Sequence, residues 1–351
     1  MPNQLSVKQA SVKYGRQTVV DEVSFELQRG VIGCLLGPSG CGKTSLLRAI
    51  AGFEPLAKGK ILLHGRCVSR PGETLAPEKR RVGMVFQDFA LYPHLNIEDN
   101  IAFGLRGQGQ AQRRERVNSL LGLVGLSGTQ KKYPHQLSGG QQQRVALVRA
   151  MAPQPDILLL DEPFSGLDVE LREQLAREVR DILKREEVTA ILVTHDQLEA
   201  FALADNIGVL SEGRLRQWDS AYSLYHRPSD RFVANFIGQG AMIPGVVTQD
   251  SEVQTLLGKI HGEFVNQPAV GEPVEILIRP DDVIHEDESN FQLRIVDKVF
   301  QGAEYLYTLA LEDGTELLCL VQSHHDHAVG EMIGIRLFLD HVVAFPRLTK
   351  S

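Results

Sequence analysis

Apolar runs and segments of helical periodicity alternate along the first two thirds of the chain. Runs such as 31–36 (VIGCLL) and 157–160 (ILLL) are typical of strands that are buried on both faces of a sheet. Between such runs lie segments with a helical spacing of apolar positions, of which 169–186 is a long example. Because alternating strands and helices build sheets with helical cover, the pattern predicts an α/β fold with a largely parallel sheet.

A different pattern begins after residue 238, where short strand-like runs such as 274–280 (VEILIRP) replace the helical segments. The sequence EDGT at 312–315, between two apolar runs, is typical of a hairpin turn. We therefore predict a first domain over 1–238, with a helical subdomain at about 88–153, and a small all-β barrel or sandwich over 239–351.

Charge and composition support this division and exclude several classes of protein. The chain has 351 residues and a net charge of −7, with a net +4 over 1–240 and −11 over 241–351. An acidic total argues against a general nucleic-acid binder. Four scattered cysteines favour a reducing compartment. We find no signal peptide and no apolar run of about 20 residues, so any work at a membrane requires other chains to cross it.

The sequence GPSGCGKT at 37–44 matches the phosphate-binding pattern G-x-x-x-x-G-K-[ST]. Its glycines allow backbone N–H groups to point at phosphate oxygens, its lysine reaches the β- and γ-phosphates, and its threonine can ligate Mg²⁺. A buried-type strand precedes the loop and a helix follows it, as this motif requires. The predicted nucleotide-binding residues here are Gly37, Pro38, Ser39, Gly40, Cys41, Gly42, Lys43, Thr44 and Ser45.

Polar residues follow several of the predicted strands and are candidates for metal binding and catalysis. Asp161 ends one strand and can hold Mg²⁺, while the adjacent Glu162 can deprotonate an attacking water. His195 can bond the γ-phosphate or the base, and the amide of Gln87 can reach Mg²⁺ or the water. Taken singly, Gln87 is equally well explained as a polar residue at a strand end, and for His195 that explanation is the less favoured alternative. Tyr14 can stack on a nucleobase or simply pack against the fold.

The sequence LSGGQ at 137–141 opens a second helix with a serine and two glycines. Such a helix N-terminus offers free N–H groups to an anion, although the chain already has one phosphate loop. In this order and spacing, the motifs over about 1–235 resemble those of the ATPase subunit of ABC transporters, to which LSGGQ is specific.

The resemblance implies a set of functional assignments. ATP and Mg²⁺ are the cofactors, Tyr14 stacks on adenine, Glu162 is the catalytic base, and Gln87 helps Thr44 and Asp161 to hold the metal. Two subunits pack head to tail as a homodimer, so that the LSGGQ motif of one contacts the ATP held by its partner. The residues implied in that second role are Ser138, Gly139, Gly140 and Gln141, with Asp168 coupling the two sites.

A subgroup is also indicated. The segment 85–105 and the closing FVANFIG resemble importer ATPases for maltose, polyamines, sulfate and ferric iron, whose tail is an OB-like regulatory domain. This resemblance implies a peripheral protein on the cytoplasmic face of the bacterial inner membrane. It contacts two transmembrane permease subunits through about 87–101 and works with an external substrate-binding protein. Ferric iron is the favoured cargo, with polyamine, sulfate and sugar left open.

Two other functions are less consistent with the motifs. A soluble ABC ATPase of DNA repair or translation usually carries a coiled-coil insertion or a second cassette, and neither is present in the sequence. A regulatory binder without turnover would not need both Glu162 and His195.

Two further features are weaker candidates. The sequence HHDH at 324–327 contains metal-ligating residue types, but four consecutive residues in a polar loop cannot easily surround one ion. We therefore do not predict a metal site there. Cys41 lies inside the phosphate loop, where it is expected to fill a small position, although a helix N-terminus can lower a thiol pKa.

Overall fold

The computed structural model describes residues 3–105, 107–167, 169–249, 251–264, 268–339 and 341–347. The chain forms two compact units, Met1–Ala221 and Tyr222–Ser351. The predicted domain boundary after residue 238 lies beyond a helix that packs within the second unit, where Ala234 shares a buried cluster with Leu277 and Val343.

The first unit combines two sheets with helices. Its strands are β1 (Leu5–Tyr14), β2 (Gln17–Leu27), β3 (Ile32–Leu36), β4 (Lys58–Leu63), β5 (Arg66–Arg70), β6 (Glu73–Thr74), β7 (Val82–Val85), β8 (Ile157–Asp161), β9 (Ala190–Thr194), β10 (Asn206–Ser211) and β11 (Arg214–Asp219). Its helices are α1 (Lys43–Ala51), α2 (Ile97–Ala102), α3 (Gln110–Leu123), α4 (Gly139–Met151), α5 (Val169–Arg185) and α6 (Gln197–Leu203), with 3-10 turns at Pro77–Lys79 and Pro134–Gln136.

The central sheet has the strand order β11-β10-β3-β9-β8-β7 and is parallel except at its β11 edge. Every residue of β3, β8 and β9 is buried, which explains why these strands read as continuous apolar runs. A second, antiparallel sheet has the order β2-β1-β4-β5-β6. The α/β class that the alternation predicts is therefore confirmed, and the second sheet forms an antiparallel β subdomain.

A buried arginine fixes the far end of α1. Arg80 is 3% exposed, and its guanidinium donates to the carbonyls of Ala49 and Ile50 in the last turn of α1 at 3.0 and 2.8 Å. The N–H of Gly52 also donates to the carbonyl of Ala49 at 3.2 Å, and the arginine adds a donor to both carbonyls at this helix end. Burial lowers the pKa of Arg80 to about 10. A Cβ on Gly52, which ends the helix at φ 96°, would lie 2.4 Å from Arg80 Nε.

The second unit is mostly antiparallel β structure that follows two short helices. Its helices are α7 (Ala221–His226), which starts at the last residue of the first unit, and α8 (Arg231–Ile237), with a 3-10 turn at Pro280–Asp282. Its strands are β12 (Ala241–Gln249), β13 (Glu252–Thr255), β14 (Gly258–His261), β15 (Glu263–Phe264), β16 (Pro273–Ile278), β17 (Val283–His285), β18 (Gln292–Phe300), β19 (Glu304–Ala310), β20 (Glu316–Gln322), β21 (Met332–Leu337) and β22 (His341–Pro346).

These strands form sheets of order β14-β13-β12-β16-β22-β15 and β17-β21-β18-β19-β20. Both contribute to one apolar core, which contains Ile243 and Ile276 from the first sheet and Tyr307 and Leu317 from the second. The predicted small all-β domain is confirmed as a barrel-like unit. Within the described residues of the chain, no helix is both long and apolar enough to cross a membrane.

Arg279 joins the helices of the second unit to its strands. Its side chain is buried, and the guanidinium donates to the carbonyl oxygens of Tyr225, Ala234, Gly238 and Gln239 at 2.8–3.3 Å. Burial lowers its pKa. One side chain therefore satisfies carbonyls on both sides of α8, which otherwise have no intrahelical donor.

We expect Arg279→Met to destabilise the second unit by about 3 kcal/mol, because several buried carbonyls lose their donor at once. Chemical denaturation of the full chain measures the loss, and hydrogen exchange should show reduced protection in α8. Arg336→Met is the matched control, since Arg336 is half exposed and makes an ion pair with Glu286, which should contribute under about 1 kcal/mol. Equal effects of the two substitutions would contradict the role assigned to Arg279.

Candidate functional site

The loop between β3 and α1 folds around a buried lysine. Lys43 is 5% exposed, and its ammonium donates to the carbonyl oxygens of Gly37 and Pro38 at 2.8 Å each. The positive charge is therefore held inside the loop, with a ring of backbone groups around it. Pro38, Ser39 and Gly40 are exposed on the outer side of the loop.

Glycine is required at two positions of this loop. A Cβ on Gly37 would lie 2.2 Å from the carbonyl oxygen of Leu210, and a Cβ on Gly42 would lie 2.3 Å from that of Val19. Gly42 also has a φ of 100° and precedes the first turn of α1, where no side chain among the described residues caps the helix. The free N–H groups of that turn and the lysine suit a phosphate group.

A hydroxyl and a carboxylate lie together beside the loop. Thr44 Oγ1 donates to Asp161 Oδ1 at 3.1 Å, and Asp161 is 8% exposed. Burial raises the pKa of Asp161, against the lowering effect of the Thr44 bond. Oxygen ligands of this kind are those that Mg²⁺ prefers, so the donor set fits a magnesium ion.

The parallel register brings the ends of four strands to the same edge of the sheet. Strands β7, β8, β9 and β3 are consecutive neighbours and run in the same direction. The register pairs nearest this edge are Val85 with Leu160, Asp161 with Val193, and Leu36 with Thr194.

Each polar residue that the sequence singled out follows one of these ends. Glu162 and His195 come directly after β8 and β9, Gly37 follows β3, and Gln87 lies two residues beyond β7. The side chain of Gln87 is exposed. The structure therefore brings the phosphate loop, both acids and the histidine to one edge and places Gln87 at the end of the neighbouring strand.

Glu162 has an unusual backbone conformation. Its φ of 45° lies in the left-handed region, and its N–H donates to the carbonyl of Val193 at 2.9 Å. The carboxylate Oε1 lies 3.5 Å from Nδ1 of His195. Non-glycine residues adopt this conformation at a cost and are concentrated at functional sites. This backbone conformation places the carboxylate beside the histidine.

The backbone that carries His195 is held by residues that the sequence did not single out. Arg172 of α5 donates to Asp196 Oδ2 at 2.7 Å, and Asp196 caps α6 by accepting from Leu198 and Glu199. Burial acts to raise the pKa of Asp196, but the Arg172 and backbone donors outweigh it and lower this pKa. The capping role of Asp196 was visible as an acid before a helix, whereas nothing in the sequence pattern indicated Arg172.

Tyr14 lies beside the start of α1. It is 43% exposed, and its hydroxyl lies 3.4 Å from Ser45 Oγ. Its ring is therefore next to the phosphate loop with much of its surface open, an arrangement that suits stacking on a planar group.

The LSGGQ motif lies on the surface at the start of α4. Ser138 and Gln141 form a capping box, with Ser138 N donating to Gln141 Oε1 at 3.1 Å and Gln141 N donating to Ser138 Oγ at 3.4 Å. Gly140 is tightly packed, since a Cβ there would lie 3.3 Å from Leu175. A Cβ on Gly139 would make only an ordinary contact, so this chain alone does not require glycine at 139. Asp168 lies outside the described residues.

The segment after β7 is fixed by two side chains that the sequence did not indicate. Arg149 of α4 donates to the carbonyls of Phe89 and Ala90 at 3.0 and 2.6 Å, and both residues have positive φ. Asn100 of α2 is fully buried and bonds both the N–H and the carbonyl of Tyr92. A segment with little regular structure thereby has a defined conformation.

Comparison with known proteins gives consistent matches. Residues 20–165 match the family model described as "ABC transporter", and residues 276–345 match that of the "TOBE domain". The chain is 39% identical over 334 residues to the spermidine/putrescine import ATP-binding protein PotA of Roseobacter denitrificans, covering 92% of this chain and 91% of the relative. A solved structure of CbiO1 from Clostridium perfringens, described as part of the ABC transporter complex CbiONQ, superposes with a TM-score of 0.60 at 25% identity. That match covers 65% of this chain and 93% of CbiO1.

Proposed function

The chain belongs to the ABC transporter family as the ATP-binding subunit of an importer, an ATPase, and on that premise we propose that it drives polyamine uptake. The observation that carries the catalytic part is the single sheet edge that holds Lys43, Thr44, Asp161, Glu162 and His195. A cationic loop, an oxygen donor pair and a carboxylate–histidine pair are the components that phosphoryl transfer to water requires.

In the proposed reaction, Lys43 and the N–H groups of the loop bind the phosphates, and Tyr14 stacks on the adenine. Thr44, Gln87 and Asp161 hold Mg²⁺, which neutralises charge on the phosphate oxygens. Glu162 accepts a proton from the attacking water. The oxygen of that water bonds to the γ-phosphorus as the bond between the γ-phosphorus and ADP breaks. His195 orients the carboxylate and bonds the γ-phosphate.

We also propose that the active form is a homodimer in which Ser138, Gly139, Gly140 and Gln141 contact the ATP held by the other copy. Ser138 and Gly139 of the motif are exposed, and the capping box leaves the serine O–H free to donate. Within one chain, steric contacts do not require glycine at position 139. A ligand that approaches the backbone closely would require it. The part of Asp168 in coupling the two sites stays a prediction.

The partners follow from the same premise. We propose that residues 87–101 contact two membrane-spanning permease subunits, so that the chain lies peripherally at the cytoplasmic face of the inner membrane and serves an external binding protein. The segment suits this role because Arg149 and Asn100 fix it while Pro93 and His94 stay exposed.

The transported substrate is the most specific part of the proposal. The sequence favoured ferric iron and left polyamine open, but the relative at 39% identity is named for spermidine and putrescine import. Nothing in the comparisons supports iron. The polyamine alternative is therefore the one we propose.

Glu162→Gln should lower the ATPase rate at least 100-fold while ATP binding persists, because the amide cannot accept the proton of the attacking water. Trapped ATP-bound dimers should be visible by size-exclusion chromatography with multi-angle light scattering. Glu187→Gln is the matched control, since Glu187 is exposed and also has a positive φ but lies outside the site. Parental hydrolysis by Glu162→Gln would show that another group is the base.

Ser138→Arg should leave ATP binding to the isolated subunit intact and abolish ATP-dependent dimerisation and hydrolysis, because a large cation replaces the small donor at the contact. Equilibrium binding of a fluorescent ATP analogue and a steady-state ATPase assay separate these effects. Ser127→Arg, also at an exposed position of the helical subdomain, should change neither. Full hydrolysis by Ser138→Arg would argue against a site shared between two copies.

Reconstitution of the chain with its permease and binding protein in liposomes should give ATP-dependent uptake of labelled spermidine or putrescine. Ferric iron in the same vesicles should not be accumulated above the Glu162→Gln background. Uptake of iron without polyamine would overturn the cargo assignment but leave the ATPase assignment standing.

A further inference from the structure

Three histidine side chains meet at one end of the β17-β21-β18-β19-β20 sheet in the second unit. His285 is the last residue of β17, and His325 and His327 lie in the loop that follows β20. One ring nitrogen from each of the three lies within 4.8 Å of the others. The rings pack edge to face, with centroids 4.9 Å apart for His285 and His325 and 5.1 Å for His285 and His327.

Two of these rings have a buried nitrogen that is not hydrogen-bonded. The side chain of His285 is 8% exposed, and Nε2 of His285 and Nε2 of His327 have no hydrogen-bond partner among the described residues. Asp287 Oδ1 lies 3.1 Å from Nε2 of His285 without hydrogen-bond geometry. An unpaired buried polar atom costs about 1–3 kcal/mol, so two at one place point to a missing ligand.

The loop that carries His325 and His327 is held in place by core residues. Tyr307 is fully buried, and its hydroxyl donates to the carbonyl of His325 at 2.7 Å and accepts from the N–H of His327 at 3.0 Å. Lys298 donates to the carbonyl of His327 at 2.9 Å and pairs with Asp326. Backbone positions on both sides of the cluster are therefore fixed, as in sites whose ligands are pre-oriented.

Charged side chains lie around the cluster. Burial lowers the pKa of His285, and the two neighbouring histidines act in the same direction, while Asp287 opposes them. The carboxylate of Glu331 lies 3.6 Å from Nδ1 of His327, and the Lys298–Asp326 ion pair lies in the same loop. Neutral imidazole is the form of the histidine side chain that binds a metal.

We propose that His285, His325 and His327 form a binding site for a divalent transition-metal ion in the second unit. Three imidazole nitrogens suit Zn²⁺, Ni²⁺, Co²⁺ or Cu²⁺ and do not suit Mg²⁺ or Ca²⁺, which require oxygen ligands. Zinc–nitrogen bonds of about 2.0–2.1 Å require the three nitrogens to approach one another to about 3.3 Å. Small side-chain rotations at the exposed His325 supply that movement, and water or Asp287 completes the shell.

This placement changes the interpretation of the HHDH sequence. Consecutive residues alone cannot surround an ion, and the cluster does not use them consecutively. It takes alternate residues, His325 and His327, and adds a third from a strand forty residues earlier in the chain. His324 is exposed and is not part of the cluster.

A metal here would join the two edge strands of the sheet. β17 and β20 are its first and last strands, and Cys319 Sγ of β20 already donates to the carbonyl of Val283 in β17 at 3.2 Å. An ion held by His285 on one side and by the loop after β20 on the other adds a second link. Metal binding should therefore raise the stability of the second unit, because a ligand that binds only the folded state stabilises it.

The test uses the full-length chain without a histidine tag, in excess Mg²⁺ and without nucleotide. Zn²⁺ titration against a chromophoric chelator should show one tight site per chain, and Co²⁺ should give the visible absorption of a low-coordinate nitrogen site. His325→Gln should weaken Zn²⁺ binding at least 30-fold, since one of three ligands is lost. Because His325 is exposed, misfolding of the variant would not explain such a loss of Zn²⁺ binding. The unfolding temperature of the metal-free variant should match that of the metal-free parent.

His324→Gln is the matched control and should bind Zn²⁺ like the parent, and Cys67→Ser excludes the exposed thiol as a ligand. Zinc should also raise the unfolding temperature of the parent but not that of His325→Gln. Absence of a site tighter than about 10 µM in the parent would overturn the proposal. So would equal affinity in the parent and His325→Gln, or a loss in His324→Gln as large as that in His325→Gln.

Discussion

The candidate site depends on the parallel hydrogen-bonded register of β7, β8, β9 and β3. Residues from 37 to 195 reach one edge only because these strands run in the same direction and end level with one another. Every residue of β3, β8 and β9 is buried, so these strands lie in the interior of the first unit. A shift of one residue would move each side chain to the opposite face and separate the carboxylate of Glu162 from His195.

Much of this arrangement follows from the sequence because it is encoded locally. Continuous apolar runs marked the buried strands, and a polar residue directly after each run marked the edge at which parallel strands end. The glycines of the phosphate loop were equally predictable. A Cβ on Gly37 or Gly42 would clash with backbone atoms, so only glycine fits at these two positions. The division into an α/β unit and a β unit followed from the change in the spacing of apolar residues near residue 240.

The arginines that hold these pieces together were not predictable in the same way. Arg80, Arg149 and Arg279 each donate to backbone carbonyls that lie about thirty to sixty residues away along the chain. A carbonyl is present at every position, so the partner has no residue type that a sequence pattern could reveal. The histidine cluster shows the same limit, because His285 meets His325 and His327 only after the sheet has formed. The packing of α8 shows the same limit, since Ala234 meets Leu277 and Val343 from strands that follow it in the chain.

Helix α4 gives these separate contacts a mechanical connection. Ser138 caps its first turn at the exposed surface, and Arg149, eleven residues later, holds the carbonyls of Phe89 and Ala90. At 1.5 Å per residue these two points are about 16 Å apart on one rigid element. A contact that shifts the serine end of the helix therefore displaces the arginine end and the segment that Arg149 holds. Positive φ values at Phe89 and Ala90 limit the other backbone conformations open to that segment. In the proposed dimer, closure on ATP at Ser138 and the position of residues 87–101 are then two consequences of the placement of one helix.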